Sequence, residues 1–249
     1  MAHTIVITGG SKGLGWAIAE KYLQNGWKVV SGSRSTRPNV EAKFQDSFRQ
    51  IEMDVRDRAA HRTLVGEAIA WTGRVDCFIN NAGFSEWRPI EEIDEEFLTS
   101  IIETNLMGYF WGAQAAASIL QSGSSLINIS SLAARRGTPN NSAYVATKFG
   151  VAGLTQSLAK ELGPKGIRVN AVCPVLVKTE GLVEALKLET SPAAGEPDKF
   201  LNNFASTQTA LGALPTASQV ADLCFFLSSE QALAITGQSI NVDCGVLPN

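Results

Sequence analysis

Short apolar runs alternate with longer amphipathic stretches along the chain, and this alternation predicts strands separated by helices. Several of the runs are almost continuously apolar, which is typical of strands that are covered on both faces of a parallel sheet. We predict strands over Thr4–Thr8, Lys28–Gly32, Gln50–Met53, Val75–Asn80, Ser125–Ser130, Arg168–Cys173 and Ser239–Val242. We predict the main helices over Leu14–Asn25, Arg58–Thr72, Asp94–Leu120, Ser142–Gly163 and Ala217–Ser228.

This order of elements determines the expected fold class. Parallel strands that alternate with helices are joined by right-handed crossovers, which place helices on both faces of one sheet. We therefore expect an α/β protein with a single doubly wound, Rossmann-type domain over positions 1–249. Its sheet has seven parallel strands, and a chain of 249 residues fits one such domain.

One long segment interrupts the alternation, between the sixth and seventh predicted strands. Positions 176–215 hold short helical patterns at Leu182–Leu188 and Asp198–Thr209, with the loop Ser191–Pro197 between them. Long insertions in compact domains commonly form lids or binding loops. We expect a substrate lid at about 176–215, and the alternative is a surface excursion with no role in binding.

Composition limits the partners that the protein can have. Hydrophobic residues make up 45% of the chain and charged residues 18%, as in ordinary globular proteins. The formal net charge is −3 and no basic stripe is present, so nucleic acid is not an expected partner. No apolar run is long enough to span a membrane. The four cysteines include no Cys-x-x-Cys pair, which argues against a metal site and fits a reduced, cytoplasmic setting.

A glycine-rich turn follows the first predicted strand and opens directly into the first predicted helix. Glycines allow a tight turn and let the backbone approach a pyrophosphate, whose charge the helix N-terminus stabilises. In this position the turn predicts a dinucleotide site, whereas a turn that only reverses the chain is the alternative. The residues of the turn are Gly9, Gly10, Ser11, Lys12, Gly13 and Leu14.

The end of the second predicted strand indicates which dinucleotide is bound. An acidic residue there would accept hydrogen bonds from the ribose 2′-hydroxyl of NAD(H). This chain has Ser33 and Arg34 instead, and a planar guanidinium can clamp a 2′-phosphate while Lys12 adds a second positive charge. We therefore predict that NADP(H) is preferred over NAD(H), and the alternative is that these cations are only solvated.

Three further motifs follow the glycine turn of Thr8–Gly15. They are Asn80-Asn81-Ala82-Gly83 after the fourth predicted strand, Ser131 after the fifth, and the Tyr-x-x-x-Lys spacing of Tyr144 and Lys148. With these motifs in this order, the chain resembles the short-chain dehydrogenase/reductase family along essentially its whole length. The resemblance implies an oxidoreductase that transfers a hydride between a nicotinamide cofactor and a ketone or secondary alcohol. It implies four catalytic residues: Asn105, Ser131, Tyr144 and Lys148.

The chemistry of these residue types explains the spacing. Tyr144 and Lys148 lie one helical turn apart on the same face, so the ammonium is expected to favour the tyrosinate and to lower the phenol pKa. Tyr144 can then donate a proton to a developing alkoxide or remove one from an alcohol. Ser131 can hydrogen-bond the substrate oxygen. By resemblance, Lys148 also holds the nicotinamide ribose and Asn105 supports a water-linked proton relay.

The resemblance assigns further cofactor contacts and also shows two departures. Val175 and Cys244 stand where the family usually has glycine. Because a β-branched residue rarely adopts a positive φ, either the backbone at Val175 is ordinary or the loop is reshaped. The further contacts implied are Asp54, Val55, Asn81, Ala82, Gly83, Tyr144, Lys148, Pro174, Val177 and Thr179.

The walls of the substrate pocket are expected from the loops at the carboxyl ends of the strands. Their apolar and aromatic character favours a carbonyl or alcohol of modest size. Arg135 and Arg136 either pair with an anionic group of the substrate or remain solvated. The expected wall residues are Phe84, Ser85, Trp87, Leu132, Ala133, Arg135, Arg136, Val175 and Leu176.

Other functions and the assembly are judged on the same resemblance. An enoyl reductase of this family would need a longer interval between tyrosine and lysine than Tyr144–Lys148. A non-catalytic NADP(H)-binding sensor or scaffold protein on the same fold is the alternative to a ketoreductase. The resemblance implies a homotetramer, or a dimer, in which the long helices pair and the small residues of Ala113–Ala117 allow close approach.

Overall fold

The computed structural model describes residues 2–37 and 39–248, so Met1, Pro38 and Asn249 of the predicted 1–249 domain lie outside the description. The strands in these ranges are β1 (Thr4–Thr8), β2 (Lys28–Ser33), β3 (Phe48–Glu52), β4 (Cys77–Asn80), β5 (Ser125–Ile129), β6 (Arg168–Pro174) and β7 (Ser239–Val242). They form one seven-stranded parallel sheet in the order β3-β2-β1-β4-β5-β6-β7. The predicted α/β, doubly wound class is confirmed.

Helices cover both faces of this sheet. They are α1 (Gly13–Gln24), α2 (Arg58–Thr72), α3 (Glu95–Ile102), α4 (Gly108–Ala117), α5 (Ser142–Leu162), α6 (Glu180–Leu186), α7 (Pro197–Gln208) and α8 (Ala217–Ser228). Side chains of a strand alternate between the two faces, so Ile5 and Ile7 of β1 pack against α1 and α8. Val6 lies on the opposite face, in the core that α2, α4 and α5 complete. Burial on both faces explains why the inner strands β1, β4, β5 and β6 are largely apolar.

The third predicted helix differs from the prediction. Asp94 caps its start, because the carboxylate accepts a hydrogen bond from the Phe97 amide at 2.7 Å. A π-helical turn over Glu103–Met107 then separates α3 from α4. The turn inserts a residue into the helical repeat and leaves Asn105 completely buried. The interruption falls at one of the predicted catalytic residues.

The segment 176–215 contains α6 and α7, close to the two helical patterns predicted there. Hydrogen bonds tie it to the rest of the molecule: Thr190 Oγ1 donates to the Trp87 carbonyl (2.6 Å), Asn140 Nδ2 donates to the Thr190 carbonyl (3.0 Å), and the Leu211 amide donates to the Cys244 carbonyl (3.2 Å). Buried Trp87 packs with Leu186 and Leu201 in a small apolar cluster of its own. No helix in the described part of the chain has the length and hydrophobicity that a membrane span requires.

Candidate active site

A cavity of about 1030 Å³ lies where the strands of the sheet end. Most of the residues predicted for cofactor and catalysis line it, although they come from seven segments far apart in the sequence, one of which is the start of helix α5. They are Gly9, Ser11, Lys12, Gly13, Leu14, Ser33, Arg34, Asp54, Val55, Asn81, Ala82, Gly83, Ser131, Tyr144, Lys148, Pro174, Val177 and Thr179.

Two predicted residues, Gly10 and Asn105, lie behind the wall instead. A Cβ atom on Gly10 would stand 2.6 Å from Ser31 Oγ, so this glycine packs the turn against β2. The side-chain amide of Asn105 forms two hydrogen bonds with the backbone of Phe84. Asn105 Oδ1 accepts from the Phe84 amide (3.0 Å), and Asn105 Nδ2 donates to the Phe84 carbonyl (2.7 Å). Asn105 therefore supports a loop of the cavity from behind.

The glycine turn has the features that a pyrophosphate requires. Gly9 and Gly13 adopt φ values of 72° and 55°, which a residue with a side chain rarely tolerates. Helix α1 starts without a side-chain cap and without an acidic residue in its first turn. Its first N–H groups and its dipole are therefore available to an anion in the cavity. The residues present fit a dinucleotide.

The turn is held in place by Asn81, at the end of β4. Asn81 Nδ2 donates to the carbonyl oxygens of Thr8 (2.9 Å) and Gly9 (3.2 Å). The Asn81 amide in turn donates to Thr8 Oγ1 at 3.0 Å. These bonds join the cofactor turn to the strand that leads into the substrate side of the cavity.

Positive charge collects at the far end of the cavity, beyond β2. Lys12 and Arg34 are exposed and line this end, whereas the Arg37 guanidinium stacks on the Trp16 ring at 3.8 Å. Asp54 also lies here, but Arg56 pairs with it at 2.6 Å. That hydrogen-bonded pair lowers the pKa of the Asp54 carboxyl.

Ser131 and Tyr144 meet on the opposite wall. Ser131 Oγ accepts a hydrogen bond from the Ala133 amide at 3.1 Å, which fixes the serine at the start of a short 3₁₀ turn. Burial raises the pKa of the Tyr144 phenol, and a hydrogen bond with Ser131 partly opposes that rise. The expectation that the pKa of Tyr144 is lowered is therefore wrong. Burial is the largest cause of the raised pKa, and Nζ of Lys148 lies 5.5 Å from the centre of the Tyr144 ring.

Lys148 is buried, with 4% of its surface exposed. Its Nζ donates to the Ile129 carbonyl (3.0 Å) and to the Tyr109 hydroxyl (3.4 Å). Burial lowers the pKa of the ammonium to about 8. The sequence analysis did not find Tyr109, because a tyrosine in an apolar helix gives no signal that its hydroxyl faces a lysine.

The two departures from the family pattern have different outcomes. Val175 is not among the residues with positive φ, so its backbone is ordinary and the side chain lines the cavity. Cys244 does adopt the left-handed conformation, with φ 53°.

The prediction that Arg135 lies in the pocket wall is wrong, because its guanidinium donates to the Ser239 carbonyl outside the cavity. Arg136 does line the cavity.

Helix α7 contributes a wall of the cavity. The sequence predicted the segment but not which side chains turn inward, because the helical pattern there is weak. These side chains are aromatic and polar: Phe200, Asn203, Phe204, Thr207 and Gln208.

No group of metal-ligating residues occurs within 2–37 and 39–248.

Comparisons with known proteins agree with this geometry. Residues 9–247 match the family model described as enoyl-(acyl carrier protein) reductase. The chain is 36% identical to the L-2,3-butanediol dehydrogenase of Corynebacterium glutamicum, over all of both chains. It is 35% identical to a diacetyl reductase [(S)-acetoin forming] of Staphylococcus epidermidis, over 99% of each chain.

A solved structure shows the same fold. The aldohexose dehydrogenase of Thermoplasma acidophilum superposes with a TM-score of 0.90 at 30% identity, over 98% of this chain and 94% of that one. Together with the sequence matches and the shared arrangement of cavity and sheet, this likeness identifies the chain. It belongs to the short-chain dehydrogenase/reductase family, whose members are oxidoreductases that use NAD(P).

Proposed function

We propose that this protein reduces a small ketone to a secondary alcohol with NADPH and catalyses the reverse oxidation with NADP⁺. One observation carries the proposal: Ser131, Tyr144 and Lys148 line a single cavity together with the glycine turn of α1. A serine, a partly buried phenol and a buried ammonium at the same wall provide groups for binding and protonating a carbonyl oxygen.

Each side chain has a distinct task in the reduction. The bound cofactor supplies the hydride that the carbonyl carbon accepts. Ser131 orients the carbonyl oxygen, and Tyr144 donates its proton to that oxygen as negative charge develops. The raised pKa of Tyr144 keeps the phenol protonated at neutral pH, as a proton donor requires. Lys148 places a positive charge beside the tyrosinate that remains.

The choice of NADP(H) rests on the charges at the adenosine end of the cavity. The residues that follow β2 are Arg34 and Ser35, so no carboxylate stands where the 2′-hydroxyl of NAD(H) would be bound. Lys12 and Arg34 can instead pair with a 2′-phosphate. Asp54 is already neutralised by Arg56 and would not repel that phosphate.

The relatives narrow the proposed substrate class. The two curated relatives are named for butanediol and for diacetyl, which are a vicinal diol and a diketone. The cavity offers aromatic walls from Phe84 and Phe200 and polar groups from Asn203 and Gln208. This combination suits a short carbonyl compound that carries a second oxygen.

Two other functions are alternatives that the experiment described next distinguishes. The family-model description names an enoyl reductase, but the Tyr144–Lys148 interval is the shorter one expected for carbonyl reduction. A non-catalytic NADP(H) sensor would bind the cofactor without turnover. The retained tyrosine, lysine and serine favour the enzyme.

The experiment measures NADPH and NADH binding by fluorescence and then their oxidation with diacetyl, acetoin and a crotonyl thioester. We expect tighter binding of NADPH and turnover of a diketone or hydroxyketone. Tyr144→Phe should retain cofactor binding and lose roughly two to four orders of magnitude in turnover, because the proton donor is gone.

Each alternative has its own result in this experiment. Turnover of the crotonyl thioester alone would establish the enoyl reductase. Binding without any turnover would favour the sensor. Equal activity of Tyr144→Phe and the unaltered protein would exclude Tyr144 as the acid, and tighter binding of NADH would refute the choice of cofactor.

We also propose that the segment 176–215 acts as a substrate lid on a single-domain protein. The proposal is supported by the side chains of α7 in the cavity wall and by the separate apolar cluster around Trp87. All four cysteines are unpaired, which supports a reducing, cytoplasmic location.

The proposed assembly is a homotetramer, or a dimer, that pairs the faces of α4 and α5. Phe110 and Phe149 are each 48% exposed, and Met107 in the adjoining π turn is 38% exposed. Exposed aromatic side chains on neighbouring helices are typical of an interface. Among the small residues expected at this contact, Ala113, Ala115 and Ala116 are buried within the chain's own core and Ala117 is partly buried against it. Light scattering measures the assembly directly.

A further inference from the structure

Tyr109 forms a buried polar triangle with the active-site lysine. It lies in the first turn of α4 and is 1% exposed. Its hydroxyl donates to the Ile129 carbonyl at 2.7 Å and accepts from Lys148 Nζ at 3.4 Å. Lys148 Nζ donates to the same carbonyl at 3.0 Å. The phenol and the ammonium therefore share one backbone acceptor at the end of β5.

The ammonium in this triangle has no anionic partner in the described ranges, 2–37 and 39–248. The titratable groups that face it are Tyr109 on α4, Tyr144 on α5 itself and Cys173 on β6. Burial raises the pKa of all three, so they are neutral at neutral pH. The charge of Lys148 is consequently stabilised by neutral oxygens and by the two tyrosine rings.

An ammonium group has three N–H donors. Two of them are engaged by the Ile129 carbonyl and the Tyr109 hydroxyl. Lys148 also lines the cavity, so the third donor is left for the cavity. We propose that Tyr109 is a positioning residue for Lys148, whose hydroxyl fixes the ammonium group so that its remaining N–H points at the bound reactants. This proposal rests on the proposed function, in which Lys148 supports Tyr144.

Helix α4 is held so that Tyr109 cannot easily move away. Asn80 Nδ2 donates to the Tyr109 carbonyl (3.2 Å) and to Asn128 Oδ1 (3.0 Å). Asn128 Nδ2 then donates to Thr155 Oγ1 on α5 at 2.9 Å. This chain of buried hydrogen bonds connects β4, β5, α4 and α5, the elements that surround the lysine.

Removal of the Tyr109 hydroxyl has a defined consequence for the proton chemistry. The charged form of Lys148 loses one of its two acceptors, so the pKa of the lysine falls further. A neutral lysine no longer supports the tyrosinate, so Tyr144 accepts a proton from an alcohol only at higher pH. A purely structural role of Tyr109 would lower stability without moving either titration.

The test compares Tyr109→Phe with Tyr22→Phe, a matched control on the other face of the sheet. Tyr22 is also fully buried, and its hydroxyl also donates to a backbone carbonyl, that of Cys224, at 3.0 Å. Lysine labelled with ¹³C at Cε reports the titration of Lys148 by NMR in the cofactor-free protein, with the signal assigned by its loss in Lys148→Met. The pH profile of alcohol oxidation is measured on the same variants.

We expect the Lys148 midpoint to fall by roughly one pH unit in Tyr109→Phe, as the loss of one hydrogen bond to a charged group predicts. The rising limb of the oxidation profile should move to higher pH by a similar amount. Tyr22→Phe should match the unaltered protein in both measurements. Coincident midpoints and profiles for all three proteins would overturn the proposal.

The two measurements also separate this proposal from the proposed function. The lysine titration needs neither cofactor nor turnover, so a shifted midpoint in Tyr109→Phe supports the contact by itself. Full turnover by Tyr144→Phe would contradict the proposed function and leave that midpoint unaffected.

Discussion

At the scale of single residues, Lys148 carries a charge in a place where a charge is unfavourable. It is 4% exposed, and burial lowers the pKa of its ammonium from 10.5 to about 8. Below pH 8 the folded and unfolded states are both protonated, so the folded state bears the whole cost of the buried charge. Between about pH 8 and pH 10.5 the unfolded chain binds more protons, so the stability of the fold rises with pH.

Lys148→Met should therefore stabilise the cofactor-free protein while it abolishes turnover. We expect a gain of roughly 1–3 kcal/mol in the free energy of unfolding near neutral pH, which shrinks above about pH 10. The Ile129 carbonyl stays satisfied in the variant because the Tyr109 hydroxyl still donates to it. Urea unfolding at the two pH values measures both quantities. Lys160 is an exposed residue on the same helix, and Lys160→Met should change the free energy of unfolding by less than about 0.5 kcal/mol. A loss of stability in Lys148→Met at both pH values would refute the prediction.

Single residues also show which parts of the site could be predicted from the sequence and which could not. Ser131, Tyr144 and Lys148 could be predicted because their spacing is local and the chemistry requires it. Tyr109 and Arg135 could not, because their partners are a lysine 39 positions away and a carbonyl 104 positions away. Such contacts depend on how the helices and the last strand pack, which no local pattern records.

At the scale of elements, the π turn between α3 and α4 is hydrogen-bonded to the backbone of the loop that contains Phe84 and lines the cavity. Asn105 lies in this turn, and its amide satisfies both the N–H and the carbonyl of Phe84. The apolar repeat predicted one helix over Asp94–Leu120, because a single inserted residue changes the repeat too little to be visible. Strands were predicted more accurately, since burial on both faces makes their composition distinctive.

Asn105→Ala should destabilise the fold and loosen the Phe84 loop. The N–H and the carbonyl of Phe84 lose the fully buried side chain that pairs with both, so we expect a loss of roughly 2–4 kcal/mol in the free energy of unfolding, measured by urea denaturation. Asn25→Ala is the matched control, because its amide also bonds a backbone carbonyl, that of Lys21, but at an exposed site. A loss of less than about 1 kcal/mol is expected there. Equal losses in the two variants would show that the buried bridge to Phe84 is unimportant.

At the scale of the whole molecule, the segment 176–215 contributes a separate apolar cluster that packs on Trp87. The sequence predicted this insertion from its position between β6 and β7 and from its two helical patterns. It could not predict the anchor, because Trp87 comes from a loop about 100 residues earlier in the chain. In the loop Ser191–Pro197 the side chains of Ser191 and Ala193 are buried, and Ser191 Oγ donates to the Leu186 carbonyl at the end of α6.

Trp87→Ala should release this segment without unfolding the sheet. Truncation of a buried tryptophan costs roughly 3–5 kcal/mol, so amide exchange in α6 and α7 should accelerate at least about tenfold while β1 stays protected. Hydrogen exchange with mass spectrometry resolves the two regions. Trp71→Ala removes a peripheral tryptophan that packs on Lys28 and Arg49, and it should leave α6 and α7 unchanged. Uniform acceleration across the molecule would argue against a separately anchored lid.

The strand order has a consequence for how the specificity of this protein can be altered. With β1 and β4 adjacent at the centre of the sheet, the chain passes from one half to the other once, through α2. Ser33 and Arg34, which face the adenosine end of the cavity, precede that crossing, whereas Ser131, Tyr144 and α7 follow it. The residues proposed to select the cofactor and those proposed to select the substrate thus lie in separate, contiguous lengths of the gene. If the proposed function holds, we expect a chimaera joined within α2 to exchange one specificity and keep the other, so that the two are separable by recombination.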